Sequence, residues 1–172
     1  MNNKNVVLKK LLDEETLSSL IDAIKEVLNR GEYTDEVSIG RKSFKMDVCP
    51  KMKDVLYDLL PIARNIFGSQ TIIPSYAFFA EYYSPDSFLP KHKDNAGNVY
   101  NIDLCVYCDK LWPIYVEGEE YNFGANEAVT ILGEDQFHWR EKLGEHNIVG
   151  NVFFFYLEPE HPFFTDPNFD KN

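Results

Sequence analysis

The sequence has little of several things, and each shortage excludes a class of protein. Three cysteines, Cys49, Cys105 and Cys108, stand in 172 residues. So sparse and odd a set builds no disulfide framework, and free thiols fit a reducing compartment, so a cytoplasmic protein is expected. No apolar run approaches the ~20 residues that cross a bilayer. The segment Met1 to Lys10 lacks the apolar core and small-residue cleavage site of a signal peptide, and no membrane partner is expected. Basic residues are outnumbered, 17 Lys+Arg against 28 Asp+Glu, for a net charge of −11. Nucleic-acid affinity rests on Lys and Arg neutralising phosphates, so no nucleic-acid partner is expected. The same balance leans weakly toward a cationic substrate, although solubility alone accounts for it. There is no glycine-rich phosphate loop, internal repeat or low-complexity segment. Only four histidines are present.

What is present reads as one globular domain over 1–172. The chain is 44% apolar and 26% charged, and its length buries roughly two-thirds of the unfolded surface, enough to fold without a disulfide or metal. Residues 1–70 read as a helical lead-in. Asp13-Glu14-Glu15-Thr16 offers a cap and first-turn acids, Leu17, Leu20, Ile21, Ile24 and Leu28 recur at helical spacing, and Gly31 stops the run. A second helix is expected over Met52 to Ile66, with Pro61 as an interruption. Over 71–158 the pattern changes to short aromatic and β-branched runs between turn clusters: Ile72–Tyr83, Val99–Tyr107, Pro113–Val116, Ala128–Leu132 and Ile148–Leu157. Such spacing predicts a β-sandwich or barrel. Phe153-Phe154-Phe155 is apolar in consecutive positions, so its strand should be central and covered on both faces. Residues 159–172 read as an irregular tail. The class is mostly β within α+β, with N-terminal helices packed on one sheet.

The chemistry starts at His92-Lys93-Asp94. In an extended segment residues two apart point to one side, so an imidazole and a carboxylate aim at one point at a strand end. A third ligand has to come from elsewhere, and His138 lies beyond three predicted strands. Two histidines and one carboxylate on one face of a metal leave open positions, the arrangement of non-haem Fe(II) oxygenases. A lone His-x-Asp is weak evidence, since a solvated surface turn gives the same tripeptide. Cys105-x-x-Cys108 is not read as half a zinc site, because residues three apart on a strand face opposite ways and no second pair exists.

Much of the chain resembles the 2-oxoglutarate/Fe(II)-dependent oxygenase superfamily, in particular its prolyl-hydroxylase-like branch. The resemblance is carried by Phe79 to Pro90, Lys91-His92-Lys93-Asp94-Asn95, Tyr100 to Tyr107, Leu111 to Val116, His138-Trp139-Arg140-Glu141, Gly144-Glu145-His146 and Asn151 to Tyr156, with Leu11 to Leu17 resembling the family's helical lead-in. It implies a double-stranded β-helix, or jelly roll, with Fe(II) held by His92, Asp94 and His138. It implies 2-oxoglutarate and O₂ as co-substrates and hydroxylation of a C–H bond with release of succinate and CO₂. His146 and His161 are the rivals of His138 as distal ligand. The substrate is left open among a small molecule, an amino acid and a peptide or protein side chain, and the oligomeric state is not legible.

One feature of the family is missing. It usually holds the far carboxylate of 2-oxoglutarate with an Arg or Lys about ten residues after the distal histidine, and residues 145–151 contain neither. Arg140, two after His138 and so on the same strand face, is the first candidate. Tyr83 and Tyr107 stand where related hydroxylases carry tyrosines that hydrogen-bond the co-substrate. Asp103, inside a predicted strand, reads slightly better as solvent-facing than as pocket-facing. Two other readings stay open: a cupin-like metalloenzyme that does not use 2-oxoglutarate, and a non-catalytic jelly-roll binding module.

Overall fold

Two antiparallel sheets face one another across a core that opens at one end. The computed structural model describes residues 5–145 and 147–169. Along the chain run β1 (Val7–Leu8), α1 (Glu14–Arg30), β2 (Thr34–Glu36), β3 (Arg41–Lys45), α2 (Pro50–Asp58), α3 (Leu60–Phe67), β4 (Ile73–Tyr82), β5 (Leu89–His92), β6 (Tyr100–Cys108), β7 (Ile114–Val116), β8 (Glu119–Tyr121), β9 (Glu127–Leu132), β10 (His138–Arg140), β11 (Val149–Leu157) and α4 (Pro162–Thr165). One sheet has the order β1-β9-β6-β11-β4-β3-β2, the other β5-β10-β7-β8. From β4 onward the chain crosses repeatedly between the sheets, which makes a double-stranded β-helix. No described helix is long and apolar enough to cross a membrane.

The period-2 alternation of the strands divides the core in two. Outward residues of the large sheet, Ala77, Phe79, Ile102, Leu104, Val152, Phe154 and Tyr156, pack with Leu20 and Ile24 of α1 and Met52, Val55 and Leu56 of α2. Inward residues, Ala80, Tyr82, Cys105, Val129, Ile131 and Val149, pack with Ile114 and Val116 of the small sheet. Helix α1 forms where the sequence signals it. The Asp13 carboxylate accepts the Thr16 N–H at 2.7 Å, and Gly31 closes the helix in the left-handed region at φ 72°. The consecutive phenylalanines lie on β11, paired with β4 and β6 on either side, so that strand is central as expected.

The lead-in differs from its reading. The described residues up to 70 contain three strands as well as helices. These strands are two to five residues long and mostly polar, and they form by pairing, β1 with β9, β3 with β4 and β2 with β3, rather than by their own alternation. The second helix is two, parted at Leu59, with Pro61 in the first turn of α3, where a missing N–H costs nothing.

A β-bulge in β6 changes two further readings. Register shifts between Gly150, opposite Tyr107, and Asn151, opposite Cys105, so Val106 is the extra residue. The bulge reverses the alternation beyond it. Tyr107 turns outward over Gly150, and Cys108 joins Cys105 on the inner cluster. The two thiols therefore share a face, contrary to the strand-period argument, yet no third or fourth cysteine is there to complete a zinc site.

Asp103 and Arg140 tie the sheets together. Asp103, expected to face solvent, is fully buried on β6, and Arg140 on β10 is 3% exposed. Arg140 Nη2 donates to Asp103 Oδ2 at 3.0 Å and Nη1 to the Trp112 carbonyl at 2.5 Å, with its carbon 4.7 Å from the Trp112 ring centre. Asn151 Nδ2 on β11 donates to the other Asp103 oxygen at 2.5 Å. Removing one member strands a buried charge. Asp103→Leu should lower stability by about 3–5 kcal/mol, and Asp103→Leu with Arg140→Met by less. Urea unfolding measures both, and a double variant as damaged as the single would contradict the pairing.

Candidate metal centre

His92 ends β5 and His138 begins β10, and the two strands pair with His138 directly opposite His92. The ring centres are 4.4 Å apart. Asp94 follows β5 and is held by its backbone, whose N–H donates to the Gly133 carbonyl at 2.8 Å. Its Oδ1 lies 3.4 Å from His92 Nε2 and 3.5 Å from His138 Nε2. Donor atoms of all three residues lie within 4.8 Å of one another.

Hydrogen bonding decides which ring nitrogens face inward. His92 Nδ1 contacts the Pro90 carbonyl at 2.8 Å, and His138 Nδ1 contacts the Gln136 carbonyl at 3.1 Å. A carbonyl only accepts, so each Nδ1 carries the proton. In the neutral rings both Nε2 lone pairs then point at a carboxylate oxygen. Three electron-pair donors converge on one point, an arrangement that a cation satisfies. The hydrogen bond to the Asp94 carboxylate raises the His92 pKa against the effect of burial. Burial alone would raise the Asp94 carboxyl, but hydrogen bonds from His138 and His92 hold it below its ordinary value. The donor set of two imidazoles and one carboxylate suits Fe(II).

Gly133 is required by close approach. A Cβ there would strike the Asn98 carbonyl and the Asp94 carboxylate. The site opens into a cavity of about 290 Å³. Its walls are largely aromatic and amide, with Tyr76, Phe78, Phe153, Phe155, Asn98 and Asn101 among them. The only cations on them among the described residues are Arg41 and Lys45 from β3, besides the histidines, and the only carboxylate is Asp94.

The other expected site residues lie elsewhere. Arg140 does point inward, but it is bound to Asp103 and Trp112 and does not line the cavity. Tyr83 lies past the end of β4 and donates to Asp35 Oδ1 at 2.8 Å. Tyr107, turned outward by the bulge, donates to Glu81 Oε2 at 2.7 Å. His161 Nδ1 accepts the Phe163 N–H at 3.1 Å in the tail. His146 lies outside the described residues. Arg41, Lys45, Tyr82 and Gly133 were missed. Tyr82 was legible: Tyr76, Phe78, Ala80 and Tyr82 alternate onto the inner face, which selects Tyr82 over Tyr83. Nothing marked Arg41 or Lys45, because their strand carries no alternating apolar pattern.

No protein-family model and no curated protein matches the sequence. Solved structures do. The non-heme alpha-ketoglutarate-dependent carbocyclase SnoK from nogalamycin biosynthesis superposes with a TM-score of 0.76 at 12% identity, over 90% of this chain and 79% of that one. EctD from S. alaskensis, solved with 2-oxoglutarate and 5-hydroxyectoine, gives 0.74 at 11% identity, over 91% and 73%. A Pseudomonas putida prolyl-4-hydroxylase gives 0.67 at 13% identity, over 89% and 92%. At these identities the likeness speaks to architecture: the chain has the jelly-roll fold of the 2-oxoglutarate/Fe(II)-dependent oxygenases.

Proposed function

We propose that the protein is an Fe(II)- and 2-oxoglutarate-dependent dioxygenase that hydroxylates a C–H bond of a small molecule or of an amino-acid or peptide side chain. The observation that carries this reading is the convergence of His92 Nε2, His138 Nε2 and an Asp94 oxygen at the mouth of a cavity, on the fold of such enzymes. Iron held by His92, Asp94 and His138, with 2-oxoglutarate and O₂, would supply the oxidising chemistry, with succinate and CO₂ as the co-products.

The chain's own residues do the rest. The Pro90 and Gln136 carbonyls fix the two ring tautomers, so the lone pairs face the metal. Gly133 fixes Asp94. The aromatic walls exclude water from the reacting centre. A cavity of about 290 Å³ is at the small end for ligand sites. It admits the co-substrate and only a small reacting part of the substrate. Its cationic lining favours an anionic ligand over the cationic one that the net charge pointed to.

Anaerobic addition of Fe(II) and 2-oxoglutarate should give the weak visible absorption band of an iron–keto-acid chelate. Iron binding without the band would favour a metalloenzyme that does not use 2-oxoglutarate, and no iron binding would favour a binding module. His92→Ala and Asp94→Ala should each abolish iron binding in an equilibrium assay, and survival of affinity in both would place the metal elsewhere. Gly133→Ala should weaken iron binding at least tenfold by displacing Asp94, with the fold retained by circular dichroism.

The pH dependence has opposite signs with and without metal. Iron needs neutral histidines, so affinity should fall as pH drops, beginning above the ordinary histidine value of about 6.5 because Asp94 raises the His92 pKa. In the metal-free protein the protonated His92 is the form Asp94 stabilises. That contribution is fully present below the unfolded histidine pKa and is lost as pH rises through the raised folded value. Melting temperatures measured across this range with and without metal check both slopes.

A further inference from the structure

We propose that Arg41, assisted by the Tyr82 hydroxyl, is the anchor for the far carboxylate of the co-substrate, supplied by a strand outside the eight that build the double-stranded β-helix. The inference rests on the 2-oxoglutarate reading and adds the residue that reading lacks. A dicarboxylate bound at the metal by one end needs a cation for the other, because a carboxylate taken out of water without a partner is costly. Arg140 is committed to Asp103 in the sheet-to-sheet contact and does not reach the cavity. The candidates among the described lining residues are therefore Arg41 and Lys45.

Both belong to β3 and sit on one face of it, four residues apart, about 13 Å between their Cα atoms along a strand. One carboxylate is too small to be gripped by both ends of that span, so the two positions are distinct. Register separates them: Arg41 is opposite Tyr82 and Lys45 opposite Phe78. Tyr82 is 1% exposed, with its ring edge-on to Trp112 at 4.8 Å, so the Arg41 end is closed. Lys45 is exposed, at the place where the cavity meets a second hollow that shares Lys45 and Phe78. The closed end suits the co-substrate, which is bound beside the metal ligands. The open end suits the substrate.

Arg41 is also built for the task. Glu36 accepts from Nε at 2.6 Å and from Nη2 at 2.8 Å, which takes one edge of the guanidinium and fixes its plane. Tyr82 lies directly opposite Arg41 in the pairing of β3 with β4, and both line the cavity that holds His92, Asp94 and His138, so the cation and a phenol stand together on the wall of that site. A pre-set guanidinium with a phenol beside it presents donors in the geometry that a carboxylate accepts.

The test uses the Fe(II)-loaded protein under anaerobic conditions, with 2-oxoglutarate and 2-oxobutyrate as probes. The second keeps the chelating keto acid and lacks the far carboxylate. Arg41→Met should raise the Kd for 2-oxoglutarate by about tenfold or more. Its affinity for 2-oxobutyrate and for iron should be unchanged, which also reports an intact fold. Lys45→Met should leave 2-oxoglutarate binding as in the parent. Should Arg41→Met fail to fold, Tyr82→Phe carries the test, with a severalfold rise for 2-oxoglutarate and none for 2-oxobutyrate. Parental 2-oxoglutarate affinity in Arg41→Met, an equal loss for both probes, or a loss in Lys45→Met instead would overturn the assignment while leaving the oxygenase reading intact. A parent protein that binds iron but neither probe would overturn both.

Discussion

The arrangement of the candidate metal centre depends on a buried ion pair that does not touch it. Strands β5 and β10 are four and three residues long, too short to hold a sheet by themselves. What fixes β10 against the large sheet is Arg140, clamped by Asp103 of β6, itself held by Asn151 of β11, and by the Trp112 carbonyl. His138 is two residues away on the same face of the same strand. Because β10 is placed, its antiparallel partner β5 brings His92 directly opposite, and Asp94 follows within two residues. Both charges of the pair are buried and multiply hydrogen-bonded, which is the condition under which such a pair fixes one arrangement rather than merely costing solvation.

The electrostatics of the molecule are local, and the net charge conceals this. A chain of net charge −11 presents a cavity whose lining holds two cations, two histidines and one carboxylate. That carboxylate belongs to the candidate metal centre. The acids lie outside, several of them pairing surface bases such as Lys9 with Glu127 and Lys142 with Asp86. Net charge therefore speaks to solubility and non-specific association, while the lining decides what enters.

Most of the β-core was legible because its strands carry the aromatic and β-branched residues that pack between the layers. The five aromatic and β-branched runs correspond to β4, β6, β7, β9 and β11, each within a residue or two at its ends. The illegible parts have physical reasons. Strands β1, β2, β3, β5, β8 and β10 are short and take their conformation from their partners. The three residues of the candidate metal centre could be picked from spacing and resemblance because ligand chemistry needs those side chains at strand ends. The anchor could not. Arg140 shares a strand face with His138, but it pairs with a buried acid, Asp103, that reads in sequence as solvent-facing. Tyr107 satisfies the alternation until one extra residue, Val106, reverses it. Bulges and buried pairs are tertiary facts, and they decided which polar side chains reach the cavity.

The claim on which everything else rests is that iron and a keto acid meet at His92, Asp94 and His138. It is tested most directly by a crystal structure of the protein grown anaerobically with Fe(II) and 2-oxoglutarate. The expected result is iron bonded to Nε2 of both histidines and to one Asp94 oxygen, with the keto acid chelating it inside the cavity. Iron bound elsewhere, or a keto acid outside the cavity, would contradict the account.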